Sequence, residues 1–493
     1  MPAVVTGKLR NGRDAIRKRE LEKILRKEFL SLGDDKVTMP MSRISSIAGL
    51  LVSAVFAPAN FAGCPAKAQN PILPMGVYIA DPTARVDRDG KLYVYGSLDI
   101  EPGSYCSKVY HVLSSSDANT WTLHPNRFSW SETLYAPDLI RKGDTYYLYF
   151  DTPNGDEFVA EGKTPTGPFG DAAKIEGPKQ IDPNIFIDDD GQAYYFWGQF
   201  SGKGAKMNPD MKTLDLSTMV DGLVTEKDHF FHEGSFVFKR GKYYYYLYAD
   251  ISRNHRPTSL GYAMATSPLG PYVYKGVIID NAGCDPETWN NHGSIVEYKG
   301  QWYIFYHRST HASRAMRKAC LEPITFNEDG TIDEVEMTSQ GAGGPLDANQ
   351  EIDAARACLL QGHARIQLDD DRRTGVARGK REVLTGIRDG DAAAWKYLDF
   401  RKGAKKIELK VKPAAGGVIR VRTGAPDGPV LGTARISASV SSPGQKGAAP
   451  EWKKVSARIR KTKGVQALWL TFESDGDTPK EEDLFLLDSF RFR

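Results

Sequence analysis

Asp182-Pro183-Asn184-Ile185-Phe186-Ile187, then Asp190-Gly191, then Tyr194-Tyr195-Phe196-Trp197 is the stretch whose reading decides the fold. An acid before proline, an apolar strand, an acid–glycine turn and an aromatic strand together spell a β-hairpin, since period-two alternation around a Gly-bearing turn is its signal. The pattern recurs on both sides. Upstream are Asp81-Pro82-Thr83-Ala84-Arg85-Val86 with Asp89-Gly90 and Leu92-Tyr93-Val94-Tyr95, and Ala136-Pro137-Asp138-Leu139-Ile140 with Gly143-Asp144 and Tyr146 to Phe150. Downstream are Glu233-Gly234-Ser235-Phe236-Val237-Phe238 with Gly241 and Tyr243 to Tyr248, and His292-Gly293-Ser294-Ile295-Val296 with Gly300 and Trp302 to Tyr306. The copies begin roughly 50 residues apart, room for two further strands each, and four strands per repeat is the arithmetic of a β-propeller. Five copies predict five blades in an all-β chain, and the Tyr and Phe excess suits strands packed face to face. A β-sandwich of similar hairpins would not repeat fivefold.

In a propeller the innermost strands run along the axis, so equivalent positions converge at one mouth. Those positions hold Asp81, Asp138, Asp182, Glu233 and His292. Crowded like charges raise one another's pKa and cost stability, so a purely structural propeller has little reason to place acids there. Glycoside hydrolysis does: it needs one carboxyl held protonated to serve the leaving oxygen and another ionised. An axis several strands wide keeps its acids apart, which favours inversion with a water between them. Glu233, between His232 and the Phe236 region, has the half-apolar setting expected to raise a carboxyl pKa and suit an acid. Asp81, fixed before Pro82, suits a base that orients water, and Asp182, fixed before Pro183, suits a group that tunes and places the acid.

The four motifs Tyr78-Ile79-Ala80-Asp81-Pro82, Tyr135-Ala136-Pro137-Asp138, Ile181-Asp182-Pro183-Asn184-Ile185-Phe186 and His232-Glu233-Gly234-Ser235, in that order, resemble glycoside hydrolase family 43. The resemblance runs from about Asn70 to Gly341 and includes the stretch Arg314 to Cys320 and the turn Phe326 to Ile332. It implies a five-bladed propeller acting on arabinose- and xylose-containing glycans, with Asp81 as general base, Asp182 as pKa modulator and Glu233 as general acid. His292 matches a histidine that in many relatives faces the central channel and helps hold a hydrated cation. A hard cation such as calcium prefers oxygen ligands, so His292 is expected to act on it through water, or else to be a hydrogen-bonded core histidine. No cofactor is required. Asp138 is the candidate for binding sugar hydroxyls, the alternative being that it holds the Tyr135–Pro137 turn. Trp130, Tyr135 and Trp197 are candidates to stack on a sugar ring, the alternative for each being packing, and Arg308 is a candidate to reach substrate hydroxyls or else to pair with an inner-strand acid.

Gly341 to Pro345 is a Gly-rich break, placing a propeller at 70–341 and a second domain at 346–493. Short alternating strands follow, among them Lys406 to Val411, Val418 to Arg422, Ala467 to Phe472 and Phe485 to Phe492, the pattern of a jelly-roll β-sandwich. This region resembles carbohydrate-binding module family 6, with departures. Asp353 fits one of two early acids that help hold a structural calcium in the family, but Ala355 stands at the other, and Leu486 replaces an asparagine that commonly grips sugar. Trp452 is a candidate stacking aromatic, and both a sugar-binding and a structural module remain open.

At the N-terminus, residues 1–40 are basic and 41–68 read as an export signal, with Arg43, an apolar run from Ile47 to Phe56 and Ala66-Lys67-Ala68 as a cleavage pattern. The apolar run is too short for a comfortable membrane span. A signal preceded by 40 residues is unusual, so Met41 or Met39 is expected as the true start, the alternative being a translated basic amphipathic helix. The mature protein is expected to be secreted or periplasmic; Phe61-Ala62-Gly63-Cys64 resembles a lipid-anchor box, though Phe fits its first position poorly. Lys and Arg (65) nearly balance Asp and Glu (62), which argues against a nucleic-acid partner. Five cysteines without a CxxC spacing exclude a disulfide scaffold or a cysteine metal site, while leaving room for one bridge. The expected partner is a polysaccharide or oligosaccharide. The reading is an exo-acting α-L-arabinofuranosidase or β-xylosidase, since the long segments Ser201–Phe231 and Ser252–Asn291 can wall off a pocket. An endo-acting arabinanase or xylanase and an exo-galactanase are the enzymatic alternatives, and a carbohydrate-binding propeller is the non-enzymatic one.

Overall fold

The computed structural model describes residues 69–369, 381–439, 451–476 and 479–493. The basic segment 1–40 and the export signal at 41–68 expected from the sequence lie outside the described residues.

Five antiparallel sheets follow one another along the chain. The first holds β1 (Tyr78–Val86), β2 (Leu92–Asp99), β3 (Ser107–Ser115) and β4 (Thr122–Leu134). The second holds β5 (Asp138–Lys142), β6 (Thr145–Asp151), β7 (Glu157–Gly162) and β8 (Ala173–Lys174). The third holds β9 (Asn184–Ile187), β10 (Ala193–Trp197), β11 (Ser201–Met207) and β12 (Leu214–Thr225), followed by a short helix, α1 (Glu226–His229). The fourth holds β13 (Phe231–Arg240), β14 (Tyr243–Asp250), β15 (Ser259–Ala265) and β16 (Val273–Asp280). The fifth is β17 (Ser294–Tyr298), β18 (Gln301–Arg308) and β19 (Lys318–Ile324). This is a five-bladed propeller.

The aromatic runs are explained by the interfaces. Each blade is covered on both faces, so both sides of a middle strand must be apolar. Tyr244, Tyr246 and Tyr248 of β14 pack toward the third blade with Phe196 and Phe231, whereas Tyr245 and Leu247 pack toward the fifth with Ile304 and Tyr306. Separate clusters of the same kind join blades one and two, two and three, and five and one. Period-two alternation thus sends successive residues of one strand into two different cores.

The last blade departs from the four-strand expectation. After β19 the chain turns back at the Phe326–Ile332 bridge and runs beside β16, where Val335 N–H donates to the Ile278 carbonyl (2.8 Å). The start of the described chain lies against β19 instead: Ile72 N–H donates to Ala319 O (3.0 Å), and Asn70 exchanges side-chain hydrogen bonds with both backbone groups of Leu321 (2.9 Å each). The ring is also fastened inside, where Ser294 Oγ donates to Pro82 O and accepts from Ala84 N–H.

The second domain comprises β20 (Leu346–Asp347), β21 (Ile352–Asp353), β22 (Leu359–Gln361), β23 (Arg365–Leu368), β24 (Glu382–Thr385), β25 (Ala392–Asp399), β26 (Ala404–Pro413), β27 (Gly417–Thr423), β28 (Val430–Ile436), β29 (Lys453–Thr462), β30 (Val465–Glu473) and β31 (Phe485–Phe492). The order β20-β25-β30-β27-β28 continues into β29-β26-β31-β24-β23. β28 and β29 are paired only at Gly432 and Ile459, and there the sheet curls onto itself around Trp395, Ile407, Ile419, Leu470 and Phe490. The four described cysteines, Cys106, Cys284, Cys320 and Cys358, are free and buried, so no bridge forms among them.

Candidate active site

Regular β-pairing would point Asp81 and its neighbours into the interblade cores, so each acid sits where the ladder breaks. In β1 the register shifts between Ala80 and Thr83, and Asp81 takes φ 51° ahead of Pro82. Asp182 takes φ 63° immediately before Pro183 and β9. The residue before proline is disfavoured in the right-handed helical region, and a left-handed non-glycine costs on the order of 1–3 kcal/mol, a strain that clusters at functional sites. In β13 the register shifts on both sides of Glu233, with Gly234 at φ 78°. A Cβ on Gly234 would press the His292 ring at 3.3 Å, so this position is kept small by its neighbour.

These breaks bring the three acids together. Asp81 and Asp182 are 5% and 6% exposed, and His292 is buried between them with Nδ1 3.8 Å from an oxygen of each. Asp182 Oδ2 accepts the Gly234 N–H (2.8 Å), linking it to the backbone that carries Glu233. Glu233, half-buried, accepts from Gln199 Nε2 on one oxygen (3.0 Å) and from Asn290 Nδ2 on the other (3.2 Å).

The surroundings treat the acids differently. Burial works to raise the Asp81 carboxyl, but the Arg317 guanidinium above all outweighs it and holds Asp81 below the usual carboxylate range. Arg317 Nη1 donates to Asp81 Oδ1 at 2.8 Å, while its Nε and Nη2 grip Asp99 at 3.0 and 3.1 Å. His307 is pushed down to about 3, chiefly by burial, and so is neutral. Its Nδ1 accepts the Asp81 N–H (3.2 Å), which places the ring proton on Nε2, donated to the Asn290 carbonyl (3.1 Å). Asp182 goes the other way: burial, then the charges of Glu233 and Asp81, raise it well above the ordinary value. Asp151 beneath it is raised by burial and by Asp182, and its Oδ1 accepts the Asp182 N–H (3.2 Å).

Other residues expected at the site fall elsewhere. Asp138 is 1% exposed and accepts five hydrogen bonds: from Arg85 Nε (3.0 Å) and Nη2 (2.5 Å), Asn184 Nδ2 (2.8 Å), and the N–H groups of Ile185 (2.9 Å) and Leu139 (2.6 Å). No lone pair is left for a sugar hydroxyl, so it fastens blades rather than substrate. Trp197, 1% exposed, belongs to the core between blades two and three. Trp130 packs on Phe150 and Phe158 (5.8 and 5.6 Å) between blades one and two. Arg308 is buried on Tyr306 Oη, the Thr338 carbonyl and Glu322. It lies one residue from His307, and alternation along β18 sends the two to opposite faces. Tyr135 is half-buried near the acids, its hydroxyl raised by burial and by Cys106 and Asp151.

The axis below His292 is crossed by Arg85, which reaches from blade one to Asp138 of blade two, donates to Ile185 O of blade three (3.0 Å) and lies 5.0 Å over the Phe236 ring of blade four. A channel calcium does not fit these residues: a guanidinium already supplies the positive charge, Asp138 has no free oxygen, and Asp81 is engaged by Arg317. Among the described residues no group of three or more His, Cys, Asp or Glu has metal-binding geometry. In the second domain Asp353 pairs with Arg356 (3.7 Å), and the Trp452 ring is overlaid by Lys412 and Lys410 at 4.9 and 5.7 Å.

A propeller whose strand breaks gather one ionised and one proton-retaining carboxyl beside a third has the equipment of an enzyme that hydrolyses O-glycosyl bonds. The chain belongs to glycosyl hydrolases family 43, whose profile matches residues 68–332, and residues 360–493 match the carbohydrate binding module of family 6. A xylosidase/arabinosidase of Thermoclostridium stercorarium is 29% identical over 477 residues, covering 83% of this chain and 96% of that protein. An arabinoxylan arabinofuranohydrolase of Paenibacillus polymyxa is 26% identical over 478 residues, covering 84% and 72%. Among solved structures, a GH43 beta-xylosidase/alpha-arabinofuranosidase from a compost microbial metagenome is 28% identical with a TM-score of 0.49, covering 55% of this chain and 99% of that one.

Removing the Arg317 cation (Arg317→Met) is expected to raise the Asp81 carboxyl by roughly 1–3 pH units. The check is the acidic limb of kcat/KM against pH for an aryl glycoside, which moves upward by that amount; an unmoved limb would show that Arg317 does not set it.

Proposed function

We propose that the enzyme removes terminal pentose residues, of the α-L-arabinofuranosyl or β-xylosyl type, from plant-type polysaccharide, with inversion at the anomeric carbon. The observation that carries this reading is the opposed treatment of the acids: Asp81 held ionised by Arg317, and Asp182 raised beside Glu233. Asp81 is the general base. It takes a proton from a water as that water attacks the anomeric carbon from the face opposite the leaving group. Glu233 is the general acid and gives its proton to the glycosidic oxygen as the bond breaks. The products are the free sugar of inverted configuration and the shortened chain, leaving Asp81 protonated and Glu233 ionised until solvent exchange resets them. Asp182 keeps a proton in the cluster and, through the Gly234 N–H, fixes the strand bearing the acid. Gln199 and Asn290 hold the two Glu233 oxygens, and the chain Glu233–Asn290–His307–Asp81 ties the acid to the base. Tyr135, half-buried beside Cys106 and Asp151, borders the sugar in this reading.

The pentose assignment is supported by the xylosidase and arabinofuranohydrolase names of the relatives that align over both domains. Export is supported by the apolar run Ile47 to Phe56, since a polymeric substrate lies outside the cell; no helix among the described residues is long and apolar enough to cross a membrane. No divalent ion is needed, because Arg85 supplies the channel's positive charge.

Hydrolysis of aryl α-L-arabinofuranoside, β-xyloside and β-galactoside tests the reading. One of the two pentosides is cleaved, and Glu233→Ala lowers kcat about 10²- to 10⁴-fold, with partial recovery on substrates whose leaving group needs no proton. Cleavage of the galactoside alone, or of none, would refute the pentose assignment. Dialysis against EDTA leaves both kcat and the melting temperature unchanged; a fall restored by calcium would contradict the Arg85 argument.

A further inference from the structure

The second domain's contact with the propeller is not a generic surface. Glu382, the first residue of β24, is 2% exposed and reaches out of the sandwich. Its two oxygens accept from Lys318 Nζ at 2.9 and 2.7 Å, and Oε1 also accepts the Gly76 N–H at 3.3 Å. The ammonium has a third acceptor in the Pro74 carbonyl (3.2 Å) and lies 5.1 Å from the centre of the Tyr78 ring. Lys318 is 3% exposed, so without Glu382 it would be a buried charge with only a carbonyl and a ring face for company, which is strongly unfavourable.

What this carboxylate holds is the propeller's own machinery. Lys318 follows Arg317, the residue that bridges Asp81 and Asp99. Tyr78 opens β1, three positions before Asp81, and is paired with Asp99 across to β2. The segments bearing the cation and the proposed base therefore both end on one side chain of the other domain. A second set of contacts runs beside it. Tyr78 meets His311 edge-on at 5.2 Å. His311 N–H donates to Ile366 O (2.8 Å), and its Nε2 accepts the Leu368 N–H (3.2 Å), so Nδ1 carries the proton toward Thr310 Oγ1 (2.8 Å). Burial opposes ionisation of Glu382, and Lys318 overcomes it, so the carboxyl sits below its ordinary range. His311 is pushed down to about 4 by burial and is neutral.

We propose that Glu382 is a positioning residue of the active site, supplied by the carbohydrate-module-like domain: by locking Lys318 and the Gly76–Tyr78 segment it holds Arg317 against Asp81, so this propeller relies on its sandwich to complete the base. The inference rests on Asp81 being the base.

The test is Glu382→Gln in the full chain, with Glu408→Gln, which removes an outlying carboxylate of the same domain paired to Lys406 and Arg491, as the control. Melting temperature, kcat, KM and the pH profile are measured on the aryl pentoside. Glu382→Gln is expected to lower kcat about tenfold or more with KM changed little, since small misplacements of catalytic groups are costly. It also moves the acidic limb to higher pH. That direction is informative, because losing a nearby negative charge would by itself move a carboxyl pKa down. An upward shift therefore reports a displaced Arg317. Wild-type kcat and an unmoved limb in a folded Glu382→Gln protein would overturn the proposal. So would a loss shared equally by Glu408→Gln. If Glu382→Gln does not fold, the paired Lys318→Met/Glu382→Leu variant leaves no lone buried charge: the same kcat loss and upward shift support the proposal, and retention of both wild-type values refutes it. Inactivity of the wild-type protein on every glycoside would instead count against the proposed function.

Discussion

Carboxylates crowded into a buried cavity repel one another, and much of this molecule is arranged to make that repulsion tenable. Burial pushes the Asp81 and Asp182 carboxyls toward the neutral form, and for Asp182 the proximity of Glu233 and Asp81 adds to the push. Arg317 reverses it for Asp81 by a contact at 2.8 Å, while Asp182 is left with Glu233 and Asp81 as charged neighbours. A single guanidinium thus separates acids that the repeat made equivalent. The chemistry proposed depends on that separation, since the base Asp81 must stay ionised while Asp182 keeps a proton in the cluster beside the acid Glu233.

The same logic explains why the site has so much polar support. Arg317 would itself be costly to bury without Asp99, and Lys318 without Glu382. Each buried charge calls for a partner, and the partners extend outward from Asp81 through β2 and β19 to the second domain. Along the axis Arg85 plays the corresponding part for Asp138, with Asn184 passing the connection on to the Val237 N–H of blade four at 2.8 Å. The interblade aromatic cores supply the bulk of the burial. The polar chain fixes where the inner strands stand, and so where the acids point.

Sequence periodicity made the architecture legible because a propeller repeats its local pattern faithfully: hairpin, turn and aromatic strand survive in every blade. That the three acids gather at one place was legible for the same reason, as each stands at or near the start of an inner strand. Equivalence of position also misled. Asp138 stands where Asp81 and Asp182 stand, yet Arg85 turns it into a blade fastener, and no periodic signal marks a residue that crosses the axis. Trp197 and Trp130 could be read as sugar platforms or as packing, and packing holds because residues on Tyr-rich strands have two interblade cores to fill first. Arg308 was one residue from His307, a displacement that in a strand reverses the face. Arg317 meets Asp81 across 236 positions of chain, and Glu382 comes from another domain. Contacts of that range leave no trace in local pattern.

The account's central claim, that Asp81 and Glu233 work as a base and an acid across a water, is tested most directly by proton NMR of the first-formed sugar from an aryl pentoside, recorded before mutarotation. Inversion predicts the opposite anomer, a β-arabinofuranose from an α-arabinofuranoside or an α-xylose from a β-xyloside. A first-formed product that keeps the substrate's configuration would require a covalent intermediate and would contradict the assignment of Asp81 as base.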